Sequence, residues 1–347
     1  MKIIIEEECE LINKTGIGRY TEMLFAAFKN TGIEYENYPK TFMRYFVKNP
    51  YLRVIMYSLW YNIIFTFKLF LRKEKLLLIA SNFYLPVLKL KNVIYVPVIH
   101  DLRLFIYPDT AGRLGGSVFR LRTKNALRNA DYIITVSNTV KQEIVKLFNF
   151  PEEKIFTVYN AAAEIKNNDT DIKKYGIEKN KYIFSVSSLN RHKNIKSLIE
   201  AFELISPDYP DIKLVLAGKR GNDTFKNCTS NIIFTGYIGD NELYSLYSNA
   251  LLYCSPSLYE GFGIPNIEAQ SLGAPILCSD IPVYRETMQD SAEFSAPDAL
   301  SIAEKLKYLI NNPQRLKELS TKGYENIKRF DMHKVTEQLN GILTVLK

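Results

Sequence analysis

Two carboxylates, Glu260 and Glu268, stand eight residues apart in the stretch SLYEGFGIPNIEAQSLG, Ser257–Gly273, separated by Gly261-Phe262-Gly263 and by Pro265. The glycines make a flexible loop. Pro265 suits the first turn of a helix, where its missing N–H would have had no intrahelical partner, so a helix is predicted to start near Ile264. The apolar run Ala250-Leu251-Leu252-Tyr253-Cys254 before it has buried-strand length and is bounded by Ser255-Pro256. The unit is thus strand, glycine loop, helix. Its helix start offers free backbone N–H groups and a positive dipole end, which suit a phosphate or a sugar oxygen. Glu260 falls in the loop and Glu268 about one turn into the helix. Neither complements a phosphate, but both accept hydrogen bonds from sugar or ribose hydroxyls, and the chemistry suggested is nucleotide-sugar binding.

Three other places carry groups of this kind. In KTGIGRY, Lys14–Tyr20, Gly16 and Gly18 open a helix predicted over Tyr20–Lys29. They either let backbone approach a ligand at a helix start or simply make a tight turn. The position three beyond Gly18 is Thr21 rather than a third glycine, which disfavours a nicotinamide enzyme. His100-Asp101 ends the apolar run NVIYVPVIHD; ligands of open parallel sheets bind at strand carboxyl ends, so His100 is placed to touch a substrate or to serve structure. Asp101 is equally suited to cap the next turn. In SVSSLNRHKNIKSLIEAF, Arg191, Lys193 and Lys196 crowd the start of a helix predicted from about Asn194, against its dipole. An anion among them would explain this, and so would a solvated basic turn. Asp169-Thr170-Asp171 matches a metal-binding DxD pattern but lies in a polar linker, so no metal is assigned. Cys9, Cys228, Cys254 and Cys278 lack CxxC spacing, which reads as a reduced, cytosolic setting without zinc.

These groups need scaffolds, and 347 residues accommodate two domains better than one. Short apolar runs recur at Ile3–Ile5, Leu76–Ala80, Val93–Val98, Tyr132–Val136 and Ile155–Val158. They resume at Tyr182–Val186, Lys213–Ala217, Ile232–Phe234, Leu251–Cys254 and Pro275–Cys278, with amphipathic stretches between them. Alternating strands and helices imply parallel sheets covered on both faces. Two series imply two doubly wound domains, with a boundary in the charged stretch Ala163–Lys181 and a ligand cleft where the strand carboxyl ends face each other. Helices are predicted over Ala299–Ile310, Leu316–Ile327 and Met332–Lys347. The first residues, MKIIIEEECE, read as a buried strand and not as a signal peptide. Basic residues outnumber acidic ones by 45 to 37, for a net charge of +8, which points to an anionic partner: nucleic acid, a phosphate-bearing ligand or a membrane surface.

In order and spacing, FSVSSLNRHKN, LVLAGKRG, FTGYIGDNELYSLYSNA and SPSLYEGFGIPNIEAQSLGAPILCSD, with GIGRY, VIHDL and DYIITVS upstream, resemble the retaining GT-B glycosyltransferases often called family 4. These include bacterial mannosyl- and rhamnosyltransferases. The resemblance spans nearly the whole chain and is densest from Tyr182 to Glu286. It implies an α/β fold of two Rossmann-like domains facing across a cleft: an acceptor-side domain over 1–165, a donor domain over 175–328, and a final helix, 329–347, returning to the first. It further implies that Glu268 holds the donor ribose, Glu260 the donor sugar, and backbone N–H groups of Gly261, Phe262, Gly263 and Ile264 the sugar and phosphate oxygens. Lys193, with Arg191 or His192 nearby, would neutralise the leaving diphosphate, His100 would reach the donor sugar, and Gly16 and Gly18 would approach phosphates or acceptor. No cofactor, metal or nucleic acid is implied. Ser187-Ser188 and Asn160-Ala161 depart from the commoner Gly-Arg and Asn-Gly of the family. The activity implied is sugar transfer from a nucleotide-diphosphate donor to a glycan or polyprenyl-linked hydroxyl in cell-surface polysaccharide synthesis. Epimerisation or phosphorolysis on the same fold, or a non-catalytic binding subunit, are the alternatives.

The segment Arg53–Lys75 bears on location. Of the 18 residues from Val54 to Leu71, 14 are apolar or aromatic. Wound as a helix at about 100° per residue, Ser58, Asn62, Thr66, Lys68, Arg72 and Lys73 share an arc of roughly 160° and leave a broad apolar face. This fits a helix lying on an anionic membrane surface, with Lys40, Arg44, Lys48 and Lys75 contributing; a core helix is the other reading. The expected location is the cytoplasmic face of the plasma membrane, without a span.

Overall fold

A computed structural model describes residues 1–7, 16–39, 50–110, 113–162, 170–186, 190–218 and 229–346. The chain divides into two compact units, Met1–Ala161 with Met332–Lys347, and Ala162–Asp331.

The first unit holds six strands: β1 (Lys2–Glu7), β2 (Tyr35–Pro39), β3 (Leu76–Ala80), β4 (Val93–Ile99), β5 (Ile133–Thr135) and β6 (Ile155–Thr157). They form one parallel sheet in the order β2-β1-β3-β4-β5-β6. Ile3, Ile4 and Ile5 are all buried, as expected of a strand covered on both faces. The helix Gly16–Thr31 buries Tyr20, Leu24, Ala27 and Phe28 at helical spacing, and Met332–Leu346 packs against it. This helix begins at Gly16, not Tyr20, so Gly16 and Gly18 are its first turn and not a loop before it.

The second unit holds β7 (Tyr182–Val186), β8 (Lys213–Ala217), β9 (Ile232–Gly236), β10 (Leu252–Ser255), β11 (Ile276–Ser279) and β12 (Glu293–Ser295), parallel in the order β12-β11-β10-β7-β8-β9. Its core is built from Ile183, Leu198, Phe202, Leu214, Leu252 and Leu306, among others. Cys254 and Cys278 are buried on β10 and β11, where burial pushes both thiols up and leaves them inert packing groups. Cys9 and Cys228 lie outside the described residues.

The basic turn before the helix Ile195–Ile205 differs from expectation. Arg191–Lys193 form a separate 3-10 turn, and Asn194, at φ +55°, redirects the chain into the helix. Arg191 and Lys193 therefore do not oppose the dipole from inside the first turn. Lys196, which does lie in that turn, is exposed and pairs with Glu200 at 3.4 Å.

The apolar segment of the first unit is helical over Pro50–Leu59, π-helical over Trp60–Phe65 and helical again over Thr66–Phe70. A stripe at every fourth position drifts by roughly 40° per step around an ordinary helix. The wider π turn offsets that drift, so Tyr61, Phe65 and Leu69 all stay buried. The Ser58, Asn62, Thr66 and Arg72 part of the polar strip is engaged with protein. The Asn62 amide donates to the Ser58 carbonyl and accepts from the Val87 N–H, Thr66 donates to the Tyr61 carbonyl, and Arg72 pairs with Glu36 at 2.7 Å. It is the apolar side that stands open: Ile55, Leu59, Ile63, Phe67, Phe70 and Leu71 are each about half exposed or more. Lys68 and Lys73 are exposed as well. Among the described residues no helix is long and apolar enough to cross a membrane. Residues 40–49, with Lys40, Arg44 and Lys48, lie outside the description.

Candidate functional site

β10 ends at Ser255, and the chain then runs through Pro256–Gly263 into the helix Ile264–Ser271. Two contacts fix this loop on the 3-10 turn. The Leu258 N–H donates to the His192 carbonyl at 2.7 Å, and Lys193 Nζ pairs with Glu260 Oε1. Ser257 Oγ donates to the same Glu260 oxygen at 2.9 Å. Lys193 and Glu260 are thus one ion couple, largely but not wholly screened from solvent, their side chains 19% and 15% exposed. Arg191, two residues before, is exposed.

The turn into the helix depends on Gly263, whose φ is +93°. A Cβ there would stand 2.6 Å from Tyr284 Cε1, so only glycine fits. The Tyr284 hydroxyl lies 2.6 Å from Ser255 Oγ; burial pushes its phenol well above the ordinary range, and the nearby Glu260 charge adds to that, so it stays a neutral hydroxyl. Thr287 Oγ1 donates to the Val283 carbonyl at 2.8 Å and lies 3.3 Å from the Phe262 carbonyl, and the Phe262 ring meets Phe330 edge-on at 5.3 Å. Gly261, Phe262 and Gly263 are buried, and Ile264 is half-buried at the helix start.

Glu268 sits deeper, 4% exposed. The Tyr247 hydroxyl lies 3.5 Å from its Oε2, a long approach for such a pair. Tyr247 in turn packs edge-on to Phe184 and Tyr253. Between the two carboxylates Asn266 is fully buried, and neither amide atom has a hydrogen-bond partner among the described residues. An amide left so costs about 1–3 kcal/mol.

The structure therefore gathers Glu260, Lys193, Gly261, Phe262, Gly263, Ile264 and Glu268 at the carboxyl end of β10. Sequence reasoning missed Ser257, Asn266 and Tyr284. Ser257 stands only three residues before Glu260, so their contact is local in sequence. Tyr284 reaches the loop from a helix 21 residues on, and no local pattern announces it.

His100, Gly16 and Gly18 belong to the first unit. The His100 Nε2–H donates to the Ser81 carbonyl at 2.8 Å, which fixes the proton on Nε2, and the ring meets Tyr20 edge-on at 5.0 Å. The Tyr20 hydroxyl donates to the Val158 carbonyl, so β3, β4 and β6 together orient the imidazole. Asp101 accepts the Arg103 N–H at 2.9 Å and serves as a turn cap. Among the described residues no group of three His, Cys, Asp or Glu side chains could hold a metal. Asp169, Ser187 and Ser188 lie outside the described residues.

Two doubly wound parallel sheets with helices on both sides give the chain the GT-B fold class. Comparison with known families agrees: the profile described as Glycosyltransferase Family 4 matches residues 16–162, and that described as Glycosyl transferases group 1 matches 167–326. The chain is 30% identical over 281 residues to the O-antigen chain mannosyltransferase B of Escherichia coli, spanning 75% of this chain and 71% of the relative. It is 29% identical over 282 residues to the O-antigen chain mannosyltransferase RfbU of Salmonella typhimurium, spanning 79% and 75%. In fold it is similar to WaaG, a glycosyltransferase involved in lipopolysaccharide biosynthesis, with a TM-score of 0.72, 14% identity and coverage of 99% and 100%. Sucrose-phosphate synthase from Thermosynechococcus elongatus gives a TM-score of 0.77 at 16% identity, covering 100% and 99%. The chain belongs to the group 1, family 4 glycosyltransferases and is an enzyme of hexosyl transfer.

Proposed function

We propose that the protein transfers a hexose, with retention and without a metal, from a nucleotide diphosphate to a hydroxyl of a lipid-linked glycan in cell-surface polysaccharide synthesis. The names of its relatives make nucleotide-linked mannose the first donor to try. The observation that carries this reading is the Lys193–Glu260 couple beside the Gly263 helix start. When a donor diphosphate takes the Lys193 ammonium, Glu260 is released to accept from sugar hydroxyls. The cation and the helix N–H groups then meet the charge that develops as the diphosphate leaves. Arg191 adds to that charge, and Glu268 holds the ribose from its buried position. His100 is assigned to the donor sugar by the resemblance to the family, and its Nε2 is held by the Ser81 carbonyl. The diphosphate's counter-charge comes from side chains, so no metal is required, and no protein nucleophile is invoked. The test is a donor screen that follows released nucleoside diphosphate with and without EDTA, then the anomeric configuration of the product. Inversion, or loss of turnover that magnesium restores, would overturn the mechanism.

Glu268→Ala is expected to weaken nucleotide binding by about 1–3 kcal/mol, the cost of leaving ribose hydroxyls without their acceptor. Glu260→Ala is expected to lower turnover while leaving nucleotide affinity nearly unchanged. Titration calorimetry with the nucleotide, set beside steady-state rates, separates the two, and exchanged phenotypes would reverse the assignment.

We also propose that the enzyme works at the cytoplasmic membrane face, held by the open apolar side of the 50–70 segment with Lys68 and Lys73 toward anionic headgroups. The wild-type protein should sediment with phosphatidylglycerol vesicles at low salt. The pair Ile63→Ser with Phe67→Ser, both exposed side chains, should leave most of it in the supernatant. A wild-type protein that stays in solution refutes the surface reading.

A further inference from the structure

Behind the 50–70 segment, at the carboxyl ends of β1 and β3, lies a cavity of about 480 Å³ lined by Tyr57, Tyr61, Tyr84, Arg122, Lys124 and Arg128. Its two kinds of lining have distinct chemistry. Glu6, 2% exposed, accepts the Tyr57 hydroxyl at 2.7 Å and the Tyr61 hydroxyl at 2.8 Å. With those hydroxyls engaged on Glu6, the two tyrosines offer the cavity ring surface. Their rings stack at 5.6 Å, and Tyr84 stands edge-on to Tyr57 at 6.3 Å. The cations lie on the helix Arg113–Asn129, whose sequence RLGGSVFRLRTKNALRN has five basic residues and no acid. Arg122 spans the two linings: its guanidinium sits 4.7 Å above the Tyr84 ring and donates to Ser58 Oγ at 2.6 Å. Arg128 donates to Asn125 Oδ1 at 3.0 Å. Among the described residues, no carboxylate forms an ion pair with Arg122, Lys124 or Arg128. The rim is apolar, with Val87 and Leu121 59% and 70% exposed.

Three cations with no carboxylate partner among the described residues, beside aromatic faces and an apolar rim, match a ligand that is a phosphate ester at one end and hydrocarbon at the other. We propose that this cavity is the acceptor-side subsite for the phosphate or diphosphate head of a long-chain prenyl or alkyl carrier. The head is held by Arg122, Lys124 and Arg128, and the first carrier units lie on Tyr57, Tyr84, Val87 and Leu121. Glu6 is a positioning residue that holds the tyrosine rings. The subsite rests on the reading of the protein as a transferase acting on lipid-linked glycans and names the part of the acceptor that this unit recognises.

The single tryptophan, Trp60, lies on the π-helical turn 6.3 Å from the Tyr57 ring, so its fluorescence reports occupancy in the full chain. The probes are farnesyl diphosphate, farnesol and inorganic diphosphate. Farnesyl diphosphate should change the emission saturably, and the other two should bind at least about tenfold more weakly, each lacking one half of the recognition. Arg122→Gln and Arg128→Glu should each weaken farnesyl diphosphate by roughly ten- to a hundredfold, as for hydrogen bonds to a charged group, and leave farnesol unchanged. Arg122→Lys should recover part of the loss. Arg128 and Lys124 stand in solvent, so their variants keep the question open if Arg122→Gln fails to fold. Equal affinity in the Arg128→Glu variant, or inorganic diphosphate binding as tightly as its ester, would overturn the proposal. Nucleotide release by the wild-type enzyme keeps the two readings separate. Turnover with no farnesyl diphosphate binding removes this subsite alone, whereas absence of turnover with every donor removes the transferase reading itself.

Discussion

Lys193→Ala is expected to lower kcat by about 10²–10³, the loss that follows removal of one group aimed at developing negative charge. Lys193 Nζ is the cation the structure places against Glu260, and its half-buried position strengthens its field relative to a solvated lysine. A merely structural lysine would behave differently. Without its partner, the Glu260 carboxylate would keep the Ser257 hydroxyl, the loop would loosen, and the substitution would lower the melting temperature and raise the donor KM while leaving kcat nearly intact. Leaving-group stabilisation acts on kcat, because the diphosphate charge is greatest in the transition state. Steady-state rates with saturating donor, together with a thermal melt, decide between them. An unchanged kcat removes Lys193 from the chemistry.

The sequence made legible those elements whose patterns are local. Runs such as Leu76–Ala80 are buried on both faces and must be apolar throughout, so they are readable as strands. β2, YENYP, and β12, EFS, were not read as strands. Each lies at a sheet edge and pairs with a single neighbour, so neither needs a continuous apolar run. The same logic explains the candidate site. Glu260, Gly263 and Glu268 share one loop and helix, and their spacing carries the geometry. Lys193 meets Glu260 across 67 positions, a contact only the folded sheet creates. Helix starts were less readable. Asn194 in a left-handed conformation separates two turns that periodicity alone merges, and the π turn at Trp60–Phe65 is not marked by the local pattern. A 3.6-residue wheel assigns Ser58, Asn62 and Thr66 correctly to one side. It cannot tell that this polar side is the one bound to protein.

Gly263→Ala should abolish most activity and lower stability together, through a mechanism distinct from the loss of any charged group. At φ +93° the backbone lies outside the regions open to an L-residue, which costs about 1–2 kcal/mol. The new methyl would also stand 2.6 Å from Tyr284 Cε1, and forcing buried rings apart adds roughly 1–3 kcal/mol. Tyr284 cannot yield freely, since its ring is fully buried and its hydroxyl is engaged with Ser255. Strain therefore passes to the loop, displacing the N–H groups of the helix start and the Glu260 carboxylate from the positions the chemistry needs. A displacement of about 1 Å at such a site costs on the order of 10² in rate. If this is the cause, shortening the obstructing ring should help: Gly263→Ala with Tyr284→Leu should be more stable than the sum of the single effects predicts. The coupling should be of order 1 kcal/mol in a double-mutant cycle read by chemical denaturation. Strict additivity of the two substitutions, with turnover retained in Gly263→Ala, would show that the loop tolerates a side chain there and that the close approach of Gly263 to Tyr284 does not position the site.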